Sequence, residues 1–119
     1  MSEPPRADAP LLVACLCAAW CRTCDEYRPT FDALAAEFGA QAHFVWVDIE
    51  DEADALGAVD VVDFPTLLIA RDGRPCFFGP VLPHAQTARQ LVRRAAQGAL
   101  PDLDDADLEG LPARLRALG

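Results

Sequence analysis

At 119 residues, 52% hydrophobic and 24% charged, the chain has the size and composition of one soluble domain whose core needs no metal or disulfide staples. Its formal charge is −9, which makes nucleic acid and anionic lipid poor partners. It contains no lysine, which excludes lysine Schiff-base chemistry and any P-loop.

Residues 1–10, with Pro4, Pro5 and Pro10, read as an extended or disordered arm. Leu11 to Cys17 is a continuous apolar run, the pattern of a strand covered on both faces. From Arg22 to Phe38 the residues Tyr27, Phe31, Leu34, Ala35 and Phe38 recur at helical spacing, and Gly39 supplies a stop. Pro29 falls inside this helix and predicts a kink. Ala42 to Ile49 reads as a second buried strand, and the acidic residues after it open a short helix near Glu52 to Ala58. Thr66–Ala70 and Cys76–Phe78 flank Asp72-Gly73, a strong hairpin signal. His84 to Gln97 closes the region as a helix with Ala85, Ala88, Leu91, Val92 and Ala95 on one face.

This order predicts an α/β three-layer α/β/α sandwich with a mixed, roughly four-stranded central sheet. The domain is expected over residues 11–98, followed by an acidic tail over 99–119 in which Leu111, Leu115 and Leu118 outline a final short helix.

Of the five cysteines, Cys15, Cys17, Cys21 and Cys24 crowd into ten residues and Cys76 stands apart. A secreted scaffold spreads its cysteines to staple distant loops, so this clustering reads as a reactive site in a reducing compartment. The apolar run from Leu11 follows a segment with Glu3 and Asp8 against Arg6, which is not a basic leader, and nothing is long enough to span a membrane. The expected location is the cytoplasm.

Trp20-Cys21-Arg22-Thr23-Cys24, followed downstream by Phe64-Pro65-Thr66, carries the chemistry. Two cysteines separated by two residues at a helix start can close a reversible disulfide, and the unpaired N–H groups there favour a thiolate on the first of them. With Pro29 five residues after Cys24, the strand ending at Asp48-Ile49, the Asp72-Gly73 turn and Gly79, the chain resembles the thioredoxin family over roughly residues 11–97.

That resemblance implies a thiol–disulfide oxidoreductase in which Cys21 attacks a protein disulfide, Cys24 resolves the mixed disulfide and a Cys21–Cys24 bond remains. It implies Pro65 as a cis-proline beside them, and it assigns substrate contacts to Trp20, Arg22, Thr23, Phe64, Pro65 and Thr66. Partners are then protein disulfides and a thiol reductant or reductase, with no cofactor and no metal.

Four departures stand against the family pattern. The N-terminal strand and helix of a full thioredoxin are absent or reduced to the arm. The acidic tail is an addition that could cover the surface those elements leave. Arg22-Thr23 replaces Gly-Pro between the cysteines. Cys15 replaces the buried aspartate six residues before Cys21, and the family lysine near it aligns with Trp46. The last change favours an alternative, a binding or redox-sensing module with little general reductase activity.

Other residues have plainer readings. Cys15 and Cys17 share one face of their strand as small core residues, unless one lies near Cys24 for thiol relay or shared metal ligation. Four thiolates spaced Cys-x-Cys-x-x-x-Cys-x-x-Cys are an alternative zinc or iron–sulfur set. Cys76, His43 and His84 read as structural or surface residues, and the carboxylates from Glu50 to Asp54 as a solvated helix start rather than a calcium loop.

Overall fold

The computed structural model describes residues 9–118, so the expected arm lies, up to residue 8, outside the described residues. Four strands, β1 (Leu11–Cys17), β2 (Ala42–Asp48), β3 (Thr66–Arg71) and β4 (Arg74–Pro80), form one sheet in the order β2-β1-β3-β4. Strand β1 pairs parallel with β2 and antiparallel with β3, so the sheet is mixed. Every residue of β1 is buried, as its uninterrupted apolar sequence requires of a central strand.

Alternation along β1 divides the core in two. Leu11, Val13, Cys15 and Cys17 face a layer made by α1 (Arg22–Phe38) and α3 (Ala85–Ala96), with Tyr27, Phe31, Leu34, Val92 and Ala95 packed against them. Leu12, Ala14 and Leu16 face the opposite layer, where α2 (Ala53–Leu56) and α4 (Leu111–Arg116) bring Leu56, Leu111 and Leu115. The result is the expected three-layer α/β/α sandwich. Each fully buried Leu, Ile or Phe here contributes about 1.5–3 kcal/mol of transfer free energy before entropy is counted.

Local chemistry fixes the ends of these elements. Helix α1 runs through Pro29 and stops at Gly39, whose φ of +57° is costly for other residues. The β3–β4 connection is a tight turn with φ of +52° at Asp72 and +81° at Gly73, the paired positive values of a type I′ hairpin. Asp48 ends β2, and its carboxylate accepts the N–H groups of Glu50 at 2.9 Å and Asp51 at 3.2 Å. This carboxylate holds a local turn.

Acidic as it is, the tail does not hang free. After the exposed stretch 101–107 the chain returns to the sheet, and Leu108, Leu111 and Leu115 are buried on the layer opposite α1. Leu103 N–H also donates to the Pro75 carbonyl at 2.8 Å, which ties the intervening segment to β4.

Candidate functional site

The site forms where β1 ends and α1 begins. Cys17 is the last residue of β1, on the face turned toward α1. A short turn through Ala18 to Trp20 follows, and Cys21 caps α1 with extended backbone at φ −86° and ψ 113°. Its N–H donates to the Ala18 carbonyl at 3.0 Å, and its own carbonyl accepts from Asp25 N–H at 3.2 Å. The next donors along the helix start remain available to an anion at the cap. Cys21 is partly exposed, whereas Cys24, three residues into the helix, is buried against the sheet.

Cys24 is disulfide-bonded to Cys17, with Cα atoms 5.9 Å apart, and Cys21 is a free thiol. This differs from the pair expected from the sequence, Cys21 with Cys24. Position explains the difference. Cys17 and Cys24 are both buried in the layer between β1 and α1, while Cys21, at the cap, packs at the edge of that cluster and stays partly exposed.

Cys15 extends the cluster. Its Sγ lies 3.6 Å from Cys17 Sγ, and because a disulfide sulfur carries no hydrogen, Cys15 is the donor. Burial pushes the Cys15 thiol well above its ordinary range, with Arg28 opposing weakly, so Cys15 stays neutral. Tyr27 sits on the same face of α1 with its hydroxyl buried and lacking a hydrogen-bond partner among the described residues. Burial pushes that phenol from 10.0 up to about 12.

Cys15 and Trp46 are register partners across β1 and β2, so the two departures from the family pattern are neighbours. The Arg28 guanidinium lies over the Trp46 ring, 4.8 Å from its centroid. Sequence reasoning missed Arg28. Its spacing from Trp46 gave no signal, because the contact joins a helix to a neighbouring strand.

The remaining expected residues are distributed around this cluster. Trp20 is 70% exposed and meets Phe64 edge-on, ring centroids 5.4 Å apart. Phe64 and Cys21 both pack against the buried cluster that holds Cys17 and Cys24. The Phe64–Pro65 peptide bond is cis, and the Pro65 carbonyl accepts from Val81 N–H at 3.0 Å. Thr66 is buried, its hydroxyl donating to the Asp63 carbonyl at 2.6 Å. Arg22 is exposed and Thr23 half-buried.

Cys76 lies apart, buried in β4, with its thiol pushed up by burial and by Asp102 and drawn down by Arg71. Among the described residues, no three His, Cys, Asp or Glu side chains gather as a metal site. Nor is any helix there long and apolar enough to cross a membrane.

The protein-family model described as Thioredoxin matches residues 5–92. A curated thioredoxin from Staphylococcus aureus is 29% identical over 58 residues, which cover 49% of this chain and 56% of that protein. The chain thus spans about half the length of the curated relatives it matches. Among solved structures, the thioredoxin of Fasciola hepatica superposes with a TM-score of 0.66 at 25% identity, covering 74% of this chain and 83% of that one. The germline-specific thioredoxin protein Deadhead of Drosophila melanogaster gives 0.62 at 23% identity over 76% and 83% of the two chains, a likeness of fold.

Proposed function

Since this chain belongs to the thioredoxin family, we propose that it is a thiol–disulfide oxidoreductase acting on protein disulfides, with Cys21 as the thiol that meets the client. One observation carries the reading. The half-exposed Cys21 caps the helix whose first turn holds Cys24, a cysteine already engaged in a disulfide.

The reaction follows from that placement. The Cys21 thiolate, favoured by the N–H groups at the helix start, attacks one sulfur of a client disulfide and releases the other as a thiolate. With the Cys17–Cys24 bond first reduced by a thiol reductant, the Cys24 thiolate attacks Cys21 Sγ in the mixed disulfide, and the client leaves with both of its sulfurs as thiols. Positions i and i+3 are neighbours on a helix surface, so the two sulfurs can meet. A thiol reductant or reductase returns the protein to its dithiol form. Trp20 and Phe64 offer an apolar rim for the client chain, beside Arg22, Thr23, Pro65 and Thr66. The chain's negative charge disfavours nucleic acid and anionic membranes as partners. A reducing compartment, the cytoplasm, suits an enzyme that must regenerate thiols.

Reduction of insulin with dithiothreitol as electron source tests the proposal. The wild-type protein accelerates precipitation of the insulin B chain and Cys21→Ser does not; equal rates for the two proteins contradict it.

A second reading is favoured by the burial of both Cys17 and Cys24, which hides the disulfide from large reductants. On that reading the fold is a redox-responsive binding module, and Cys21→Ser protein keeps its partner in a pull-down.

A further inference from the structure

We propose that Cys17 is a third redox-active residue, which takes the disulfide inward from Cys21–Cys24 to Cys17–Cys24 and returns Cys21 to the free thiol state. The inference rests on the proposed oxidoreductase reading for its starting point, the Cys21–Cys24 bond left by a client.

Geometry carries it. Cys24 lies in the first turn of α1, three residues from the capping Cys21 on one side and bonded to Cys17 of β1 on the other. One sulfur can therefore be shared by two partners, an outer thiol at the helix cap and an inner one on the central strand. Their environments differ. Cys17 and Cys24 are each 1% exposed, whereas Cys21 reaches solvent. Cys15, 3.6 Å from Cys17 Sγ, is a neutral thiol that can donate to the Cys17 sulfur as it loses its proton.

The step is an internal exchange. Cys17 Sγ, having given up its proton, attacks Cys24 Sγ. The Cys17–Cys24 bond forms, the Cys24–Cys21 bond breaks, and the electron pair leaves on Cys21 Sγ, which takes up a proton. One disulfide is present before and after, so no further oxidant is needed. The two oxidising equivalents from the client are stored in the core, and a thiol at the surface is again ready. Reversal, with Cys21 attacking Cys24, brings the disulfide back within reach of a reductant.

Arg22 allows a direct measurement, because trypsin cleaves after it and separates Cys24 from the peptide holding Cys15, Cys17 and Cys21. The full chain is reduced, oxidised with one equivalent of diamide, alkylated with iodoacetamide while folded, and then digested without reduction. Expected is a Cys24 peptide linked through Cys17 to a peptide whose Cys21 is alkylated as fully as in reduced protein. Oxidised Cys17→Ala protein, limited to the outer pair, shows alkylation of Cys21 about tenfold lower, and Cys15→Ala keeps Cys21 reactive.

Oxidised wild-type protein with Cys21 protected and bound to Cys24 overturns the inward exchange, whether or not the Cys17 variant folds. Insulin reduction can persist in that case, and the proposed function then stands alone. A Cys17–Cys24 pair in a protein with no Cys21-dependent insulin reduction overturns the proposed function instead.

Discussion

Cys17 at the end of the central strand is bonded to Cys24 in the first turn of α1, and Cys21, the residue that caps the same helix, is left free. The bond ties β1 to α1 inside the larger of the two buried clusters. Burial separates the cysteines: a partly exposed thiol at the cap and a buried, bonded pair within.

Trp20 is expected to serve recognition more than stability. It is 70% exposed and, among the described residues, its one aromatic contact is the edge-on meeting with Phe64, an arrangement worth about 0.5–1.5 kcal/mol. Trp20→Ala should therefore unfold within about 1.5 kcal/mol of the wild type in urea. Its kcat/KM for insulin should fall several-fold while its rate with a small aromatic disulfide is unchanged. A loss of stability far beyond that range would make Trp20 a core residue instead.

Tail residues should behave as core. Leu115 in α4 is completely buried, against a sheet face that α2, only four residues long, covers in part. Leu115→Ala should cost about 2–5 kcal/mol in urea unfolding, the range for a buried leucine. A cost below about 0.5 kcal/mol, the usual surface value, would mean that α4 does not hold its place in solution.

Stability should decline in alkali. In oxidised protein Cys17 and Cys24 do not titrate, but Cys15 and Cys76 are free and buried, and burial raises both above their ordinary 9.0. Above that pH the unfolded chain releases protons that the folded chain keeps. The unfolded state then binds fewer protons, and unfolding free energy falls as pH rises. Tyr27 adds to the decline between 10.0 and about 12. The contribution is fully present below pH 9.0 and lost progressively above it. Urea midpoints should drop from about pH 9 upward, with the onset moved toward the tyrosine range in a Cys15→Ala, Cys76→Ala protein. A midpoint that is flat or rises through this range would contradict the assigned burial.

Much of the fold is legible in the sequence because its signals are local. The unbroken apolar run Leu11–Cys17 marks the central strand, the spacing of Tyr27, Phe31, Leu34 and Phe38 marks α1, and Asp72-Gly73 marks the hairpin. The ends of β4 are less legible, because Arg74 and Pro80 pair there despite being poor strand formers. The position of Cys21 at the cap and of Cys24 in the first turn also follows from sequence.

What escapes a sequence reading depends on contacts across elements. Alternation places Cys15 and Cys17 on one face of β1, yet it does not say which helix residue meets the last of them. Cys24 meets Cys17 because the first turn of α1 packs back against the end of the strand it follows, a fact of packing. The stacking of Arg28 on Trp46 is hidden for the same reason.

The most direct measurement concerns which sulfur takes the client. Full-length Cys24→Ser protein, reduced and incubated with oxidised insulin, cannot resolve its mixed disulfide through Cys24 and should accumulate a covalent adduct. Fragmentation of the tryptic peptide should place insulin on Cys21. An adduct on Cys15 or Cys17, or no adduct at all, would contradict the assignment of Cys21 as the attacking thiol.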